Sequence, residues 1–202
     1  MASIATYTDH ITGGEWPELK VLEGVGNHKL LPKLQAALKH LPFSLCGAPG
    51  TGKKHLLTMA VASTNYKLTI YDLAHISSEH GTRVDDLQCV LNRYVGNNNI
   101  DGNKLVLALY GAEHLDKNGA NMLRKYNVIL IANTRTEAMK SAIGRVIWAP
   151  RLTPTVMEGS IRLMCPSATP PAIKRAIQFS NGDLRQAQLQ LALGVTMLRK
   201  AA

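Results

Sequence analysis

The stretch CGAPGTGKKH, residues 46–55, constrains the fold of this chain more than any other segment. A short apolar run at 43–47 leads into it, and an apolar-periodic segment at 53–64 follows it. Glycines at these spacings let backbone N–H groups turn toward phosphate oxygens, and the N-terminus of the following helix adds the positive end of its dipole. The pattern G-x-x-x-x-G-K between a strand and a helix therefore predicts a phosphate-binding loop.

The loop departs from the usual pattern at one position. A Ser or Thr normally follows the lysine and binds Mg²⁺ through its hydroxyl, whereas here that residue is Lys54. The Lys54 ammonium either stands near the missing cation and neutralises phosphate charge, or points to solvent from the first helical turn. We expect ATP or ADP as the ligand and no dedicated magnesium site. The predicted nucleotide-binding residues of the loop are Gly47, Ala48, Pro49, Gly50, Thr51, Gly52, Lys53, Lys54 and His55.

Strand and helix patterns alternate through the first three quarters of the chain. Apolar runs predict strands at 43–47, 67–72, 104–110, 127–134 and 145–150. Helical periodicity predicts helices over 28–40, 53–64, 82–95 and about 116–126, and the Asn- and Gly-rich stretch 96–103 predicts a turn. This alternation indicates an α/β fold, a parallel sheet flanked by helices.

The strand patterns stop after Pro150. Three helices are predicted beyond it, over 153–165, 170–179 and 182–200. Pro154 and Pro171 suit helix starts, and Asp183 suits an N-cap. We therefore expect an α/β nucleotide-binding domain over 1–150 and a small three-helix domain over 151–202.

Positive charge is concentrated in the second half of the chain. Residues 1–116 carry 10 Lys and Arg against 11 Asp and Glu, whereas 117–202 carry 13 against 3. This asymmetry favours a polyanionic partner, usually nucleic acid, over a merely solubilising surface. DNA is therefore an expected partner.

Composition also bounds the compartment. The chain has no apolar stretch of about 18 residues and no secretory signal pattern, so we expect no membrane partner and no secretion. Its three cysteines, Cys46, Cys89 and Cys165, are odd in number and lack CxxC spacing. They favour a reducing intracellular compartment, nucleus or cytoplasm, and give no sign of a metal site.

Several motifs in order resemble the AAA+ ATPases, and within them the small subunits of sliding-clamp loaders, over residues 20–195. The segment LEGVGN is similar to the family's opening, which implies that Val25, Gly26 and Asn27 lie near the adenine. NVILIANT is similar to the strand that carries sensor 1, and this likeness implies that Asn133 lies near the γ-phosphate. NGDLRQA resembles the lid motif that carries sensor 2, with Arg185 as the sensor.

Two weaker likenesses concern partners. AIGRVIWAPRLTP is similar to the family's Ser-Arg-Cys region, although the Ser and Cys are replaced, and this makes Arg145 a candidate arginine finger acting in trans. ISSEHGTRVDDL is similar to the Ser-Asp-x-Arg-Gly segment, whose following helix faces the central channel in the family. Arg83 is therefore a candidate DNA-binding residue, with a solvated helix-start residue as the alternative.

The same resemblance shows where catalytic residues are missing. In KLVLALYGAEHL, Tyr110 and Gly111 occupy the positions of the family's Asp-Glu pair, which holds Mg²⁺ and polarises water. Together with Lys54, these replacements remove the expected magnesium ligands, and no catalytic residue is predicted. Glu113 is the nearest acid, and we interpret it as a helix-start residue beside Asp116. The string GTGKK resembles the eukaryotic clamp-loader subunit whose site binds nucleotide but is catalytically silent.

The resemblance implies a non-catalytic, clamp-loader-like AAA+ module in DNA replication or repair. Its implied partners are DNA, other AAA+ subunits or copies of itself, and a sliding clamp or polymerase. The sequence ends soon after the lid motif, without the family's helical collar, so we expect a short relative such as a viral or phage protein. Two alternatives remain open: a slow or partner-activated DNA-dependent ATPase, and a protein-interaction scaffold that binds no nucleotide.

Overall fold

The computed structural model describes residues 25–75, 77–78, 81–82, 84–94 and 104–200. Contacts divide them into two compact units. The sheet unit comprises residues 29–49 and the described part of 53–150, and the helical unit comprises 25–28, 50–52 and 151–200. The phosphate-loop segment thus contributes residues to both units.

The sheet unit contains the predicted parallel sheet. The strands of this unit are β1 (Phe43–Cys46), β2 (Tyr66–Asp72), β3 (Ser77–Ser78), β4 (Gly81–Thr82), β5 (Lys104–Tyr110), β6 (Ile129–Ala132) and β7 (Val146–Trp148). Five of them form one sheet in the order β2-β5-β6-β1-β7, with every neighbouring pair parallel. The short strands β3 and β4 form a separate antiparallel pair.

Helices cover both faces of this sheet. They are α1 (Leu31–Leu38), α2 (Lys53–Ala62), α3 (Val84–Tyr94), α4 (Lys117–Leu123) and α5 (Glu137–Ala142), with 3-10 turns at His28–Leu30, Leu73–His75 and Ala112–His114. Val106 and Ala108 of β5 pack in one buried cluster with α1 and α2. Leu107 and Leu109 pack in another with α3, α4 and α5. Because successive strand residues point to opposite faces, a continuous apolar run serves both clusters.

The helical unit contains the three helices predicted after Pro150. These are α6 (Pro154–Met164), α7 (Pro170–Ser180) and α8 (Leu184–Lys200). The Asp183 Oδ1 accepts the backbone N–H groups of Arg185 at 2.9 Å and of Gln186 at 3.1 Å, which confirms Asp183 as the N-cap of α8. None of the helices in the described part of the chain is long and apolar enough to cross a bilayer.

Sequence patterns missed some local structure. Helix α5 has six residues, too few to display a helical period, and its start depends on Thr136, whose Oγ1 accepts the Met139 N–H at 3.2 Å. The β3–β4 pair was also not predicted. Arg83 and the predicted turn at 96–103 lie outside the described residues, so the DNA-facing role of Arg83 stays a prediction.

Candidate nucleotide-binding site

Strand order brings three predicted site positions together at the carboxyl ends of the parallel strands. In the register of the sheet, Cys46 of β1 pairs with Ala132 of β6, and Ile131 pairs with Tyr110 of β5. The carboxyl ends of these three strands therefore lie side by side, which is where ligands bind in open α/β sheets. Gly47, Asn133 and Gly111 directly follow these strands. The loop, the sensor-1 candidate and the predicted position of the Asp-Glu pair therefore lie together at the carboxyl ends of the strands.

Lys53 lies between the residues that follow β1 and β6. Its Nζ donates to Gly47 O at 2.7 Å, to Ala48 O at 2.9 Å and to Asn133 Oδ1 at 3.1 Å. The residue is only 6% exposed. All three acceptors are neutral oxygens, and a phosphate oxygen would accept from an ammonium more strongly. The lysine is thus held at the loop in a position to exchange these acceptors for a phosphate.

Asn133 also binds Glu113, which the sequence predicts only as a helix-start residue beside Asp116. Asn133 Nδ2 donates to Glu113 Oε1 at 2.7 Å, and the Asn133 backbone N–H donates to Oε2 at 3.3 Å. Glu113 does lie in the short 3-10 turn after Gly111, but its carboxylate contacts the site. Asp116 alone caps the next helix, α4, by accepting the Gly119 N–H at 2.8 Å. Only the adjacency of β5 and β6 reveals this link.

The two residues that the sequence resemblance places at magnesium positions, Lys54 and Tyr110, contact each other. The Lys54 Nζ lies 3.6 Å from the centroid of the Tyr110 ring, a cation–π contact. Mg²⁺ requires oxygen ligands in near-octahedral geometry, and this arrangement offers an ammonium and a ring face in place of a hydroxyl and a carboxylate. The residues present at these positions do not fit a magnesium ion.

Gly47 is required at the start of the loop by close backbone packing. A Cβ on Gly47 would lie 2.2 Å from the Ala149 carbonyl oxygen, well inside van der Waals contact. The Ala149 N–H donates to Cys46 O at 2.7 Å, which holds the two backbones together. Burial raises the pKa of the neighbouring Cys46 thiol, and this outweighs the charges of Arg135 and Lys53, which lower it.

Loop residues 50–52 belong to the helical unit and contact other residues of it. The Leu184 N–H donates to Gly50 O at 3.2 Å. Gly50 has a φ of +70°, and a Cβ there would lie 1.7 Å from Asp183 Oδ1. Asn27 Nδ2 donates to the carbonyl of the buried Thr51 at 3.2 Å. The motif residues Asn27 and Asp183 therefore both meet this loop segment.

The remaining predicted residues fall into three settings. Val25 is buried in the core of the helical unit, and the Gly26 N–H donates to Ser160 Oγ at 2.8 Å. Arg185 lies exposed on the first turn of α8. Of the others, Pro49 is exposed, and Gly52 and His55 are partly exposed, with His55 in the first turn of α2. Contact of any of these residues with nucleotide stays a prediction.

Arg145 lies at the amino end of the parallel strands, whereas the loop follows their carboxyl ends. It directly precedes β7, and its carbonyl accepts the N–H of Ser44 at the beginning of β1 at 2.9 Å. Its exposed guanidinium donates through Nη1 to His40 O at 3.2 Å. Arg145 therefore does not reach the loop of its own chain, and its role toward a neighbouring subunit stays a prediction.

Two further arginines bind backbone carbonyls in the segment that precedes Arg145 in the chain. Arg135 Nη2 donates to Gly144 O at 2.8 Å, and Arg124 Nε donates to Ser141 O at 2.9 Å. Within the described ranges, no group of three or more His, Cys, Asp or Glu side chains is arranged to hold a metal ion.

Comparison with known proteins supports the fold. No protein-family model matches the chain, and no curated protein matches it by sequence. The structure is similar to that of the RuvB Holliday junction branch migration motor of Thermotoga maritima, with a TM-score of 0.59 and 18% identity over 83% of this chain. It is also similar to a single-residue variant of that RuvB, with a TM-score of 0.61 and 17% identity over 83% of this chain.

These likenesses establish the α/β fold, which this chain shares with RuvB. The chain spans 61% of the length of those two RuvB chains. At this identity the comparison concerns the fold alone. The shared fold is the one that the AAA+ resemblance implies, while membership of the AAA+ family and the closer likeness to clamp-loader subunits stay predictions.

Proposed function

We propose that this chain is an AAA+ module that binds ATP or ADP without hydrolysing it and works in DNA replication or repair. The observation that carries the proposal is the site at the carboxyl edge of the sheet. A glycine-rich loop joins β1 to α2 there, and the buried Lys53 ammonium lies between Gly47 O, Ala48 O and Asn133 Oδ1. Such a lysine can bind the terminal phosphates of a nucleotide.

The absence of hydrolysis follows from what replaces the catalytic groups. Phosphate-loop enzymes organise the attacking water and the terminal phosphate through a metal ion and an acidic residue. The sequence resemblance assigns Lys54 and Tyr110 to the metal positions, and the two side chains contact each other at 3.6 Å. The same resemblance assigns Gly111 to the position of the general base. Bound nucleotide would therefore remain intact.

The proposed partners are DNA and other AAA+ subunits or copies of this chain. Charge supports a polyanion, because residues 117–202 carry 13 Lys and Arg against 3 Asp and Glu. RuvB, which has this fold, is described as a Holliday junction branch migration motor. Arg145 and sensor-2 candidate Arg185 are proposed to contact nucleotide, Arg145 across a subunit boundary. The sequence resemblance also supports a clamp-loader-like role, with a sliding clamp or polymerase as partner, and an intracellular setting in a viral or phage system.

Nucleotide binding and hydrolysis are tested with one pair of variants. Wild-type protein is titrated with a fluorescent ATP analogue, and phosphate release is followed with and without DNA. Lys53→Ala is expected to abolish binding. Lys67→Ala removes an exposed charge from the outer strand β2 and is expected to leave binding unchanged. Phosphate release that disappears in Lys53→Ala would contradict the non-catalytic proposal. No binding by wild type would favour the scaffold alternative.

DNA contact is tested by its salt dependence. If Lys and Arg groups bind DNA phosphates, the logarithm of the affinity for labelled duplex and single-stranded DNA falls linearly with the logarithm of the salt concentration. Anisotropy titrations at several salt concentrations measure this slope. An absence of binding at low salt would contradict the proposed DNA partner.

One observation favours a second candidate, a slow or partner-activated ATPase. Glu113 binds Asn133, which in turn binds Lys53, so a carboxylate does lie beside the proposed phosphate site. If Glu113 serves as the missing base, wild type shows DNA-stimulated phosphate release that Glu113→Gln removes. Asp116→Asn is the matched control, because it neutralises the helix-capping acid of α4. Equal background rates in all three proteins would exclude this candidate.

A further inference from the structure

The contact between Lys54 and Tyr110 joins two replacements that are 56 positions apart in the chain. Each alone removes a magnesium ligand expected from the AAA+ resemblance. Together they place an ammonium group against an aromatic face, with the Lys54 Nζ 3.6 Å from the Tyr110 centroid. A divalent cation at the same place would be repelled by the ammonium and would lack its oxygen ligands.

We propose that the Lys54 ammonium, positioned by the Tyr110 ring, takes the place of magnesium, so that the site binds metal-free nucleoside triphosphate or diphosphate. This inference rests on the proposed nucleotide binding and specifies the form of the ligand. Lys54 contacts the phosphates, and Tyr110 is a positioning residue.

Local electrostatics support an anionic ligand beside Lys54. Helix α2 begins with Lys53 and Lys54, and its first turn contains no acidic residue. Two cations at the positive end of a helix dipole disfavour each other and the helix start. A polyphosphate beside them would reverse this effect, because it supplies the negative charge that the first turn lacks.

Packing fixes the ring on which the ammonium lies. Tyr110 ends β5 and packs against the buried cluster that contains Leu56 and Leu57 of α2. The ring and the first turn of α2 are therefore held in one rigid part of the sheet unit. A flexible lysine stem would otherwise extend into solvent, and the ring face keeps its charge at the loop.

The expected ligand follows from charge. Metal-free ATP carries more negative charge than its magnesium complex, and two neighbouring ammonium groups favour the more highly charged form. Wild type should therefore bind ATP in EDTA at least as tightly as in excess Mg²⁺. A site with magnesium ligands shows the opposite preference.

The test is calorimetric titration of ATP into the full chain, in EDTA and in Mg²⁺. Lys54→Met is expected to weaken binding in EDTA about tenfold, or about 1.4 kcal/mol, and Lys54→Arg to retain it. Tyr110→Leu is expected to weaken it, with rescue in Tyr110→Phe, which keeps the ring. Lys67→Met is the matched control for charge removal and should have no effect. The double variant Lys54→Thr with Tyr110→Asp should acquire tighter binding in Mg²⁺.

Each outcome separates this inference from the proposed function. Wild type that binds ATP markedly tighter in Mg²⁺, or Lys54→Met that binds in EDTA like wild type, would overturn the inference and leave nucleotide binding standing. No binding in either buffer would overturn the proposed nucleotide binding itself. Circular dichroism checks that each variant is folded, and if Lys54→Met does not fold, Lys54→Gln and the Tyr110 pair give the same reading.

Discussion

Replacing Gly47 by alanine tests how tightly the start of the phosphate loop is packed. The added Cβ would lie 2.2 Å from the Ala149 carbonyl oxygen, 3.0 Å from its carbonyl carbon and 3.1 Å from its Cβ. Ala149 is fully buried, so neither backbone has open space into which it can move. The ends of β1 and β7 must separate by more than an ångström.

The expected cost combines two effects. Separation breaks the bond from Ala149 N to Cys46 O, worth about 1 kcal/mol net. Overpacking of a buried region costs about 1–3 kcal/mol more. Gly47→Ala should therefore lower the free energy of unfolding by about 2–4 kcal/mol. For a chain of this size, this corresponds to a fall in melting temperature of roughly 4–16 °C.

Thermal and urea unfolding of the full chain measure the effect. Gly159→Ala is the matched control, because Gly159 lies exposed in α6 and a Cβ there meets nothing within 4 Å. That control should gain about 0.5–1 kcal/mol from the higher helix propensity of alanine. If Gly47→Ala melts within a degree of wild type, the close approach of Gly47 and Ala149 is wrong.

Two further predictions concern single groups. Asp183→Ala should lower the free energy of unfolding by about 1 kcal/mol, because the cap of α8 is lost, whereas Asp183→Asn should keep most of the stability. Urea titration measures both variants, and equal losses in the two would contradict the cap. Burial raises the pKa of the Cys46 thiol in the folded chain. The stability that the neutral thiol contributes is therefore present at neutral pH, and it is lost as the pH rises through and above the ordinary pKa of a thiol. Wild type should therefore lose stability relative to Cys46→Ala in alkaline urea titrations, and a constant difference would contradict this.

Local patterns were sufficient to predict the sheet. The strands around Leu45, Leu107 and Ile131 are apolar runs that both faces bury, and each is bounded by turn or loop residues. The start of α8 was equally accessible, because Asp183 caps it through neighbouring backbone groups. Such features depend on contacts within a few residues of the chain.

Contacts between distant residues decided what the sequence left open. Glu113 read as a helix-start acid, because its bond to Asn133 exists only once β5 and β6 lie side by side. The sequence analysis interprets Lys54 and Tyr110 as a joint loss of magnesium ligands, but only the structure shows that the two side chains contact each other. The packing of Gly50 against Asp183 is likewise invisible in either local motif.

The central claim is that the loop holds nucleotide without cleaving it. The most direct measurement is a single-turnover assay in which excess protein is mixed with radiolabelled ATP, Mg²⁺ and DNA, and the bound nucleotide is recovered and separated. The account predicts that ATP is retained on wild type and recovered intact, and that Lys53→Ala retains none. Conversion of bound ATP to ADP by wild type, absent in Lys53→Ala, would contradict it.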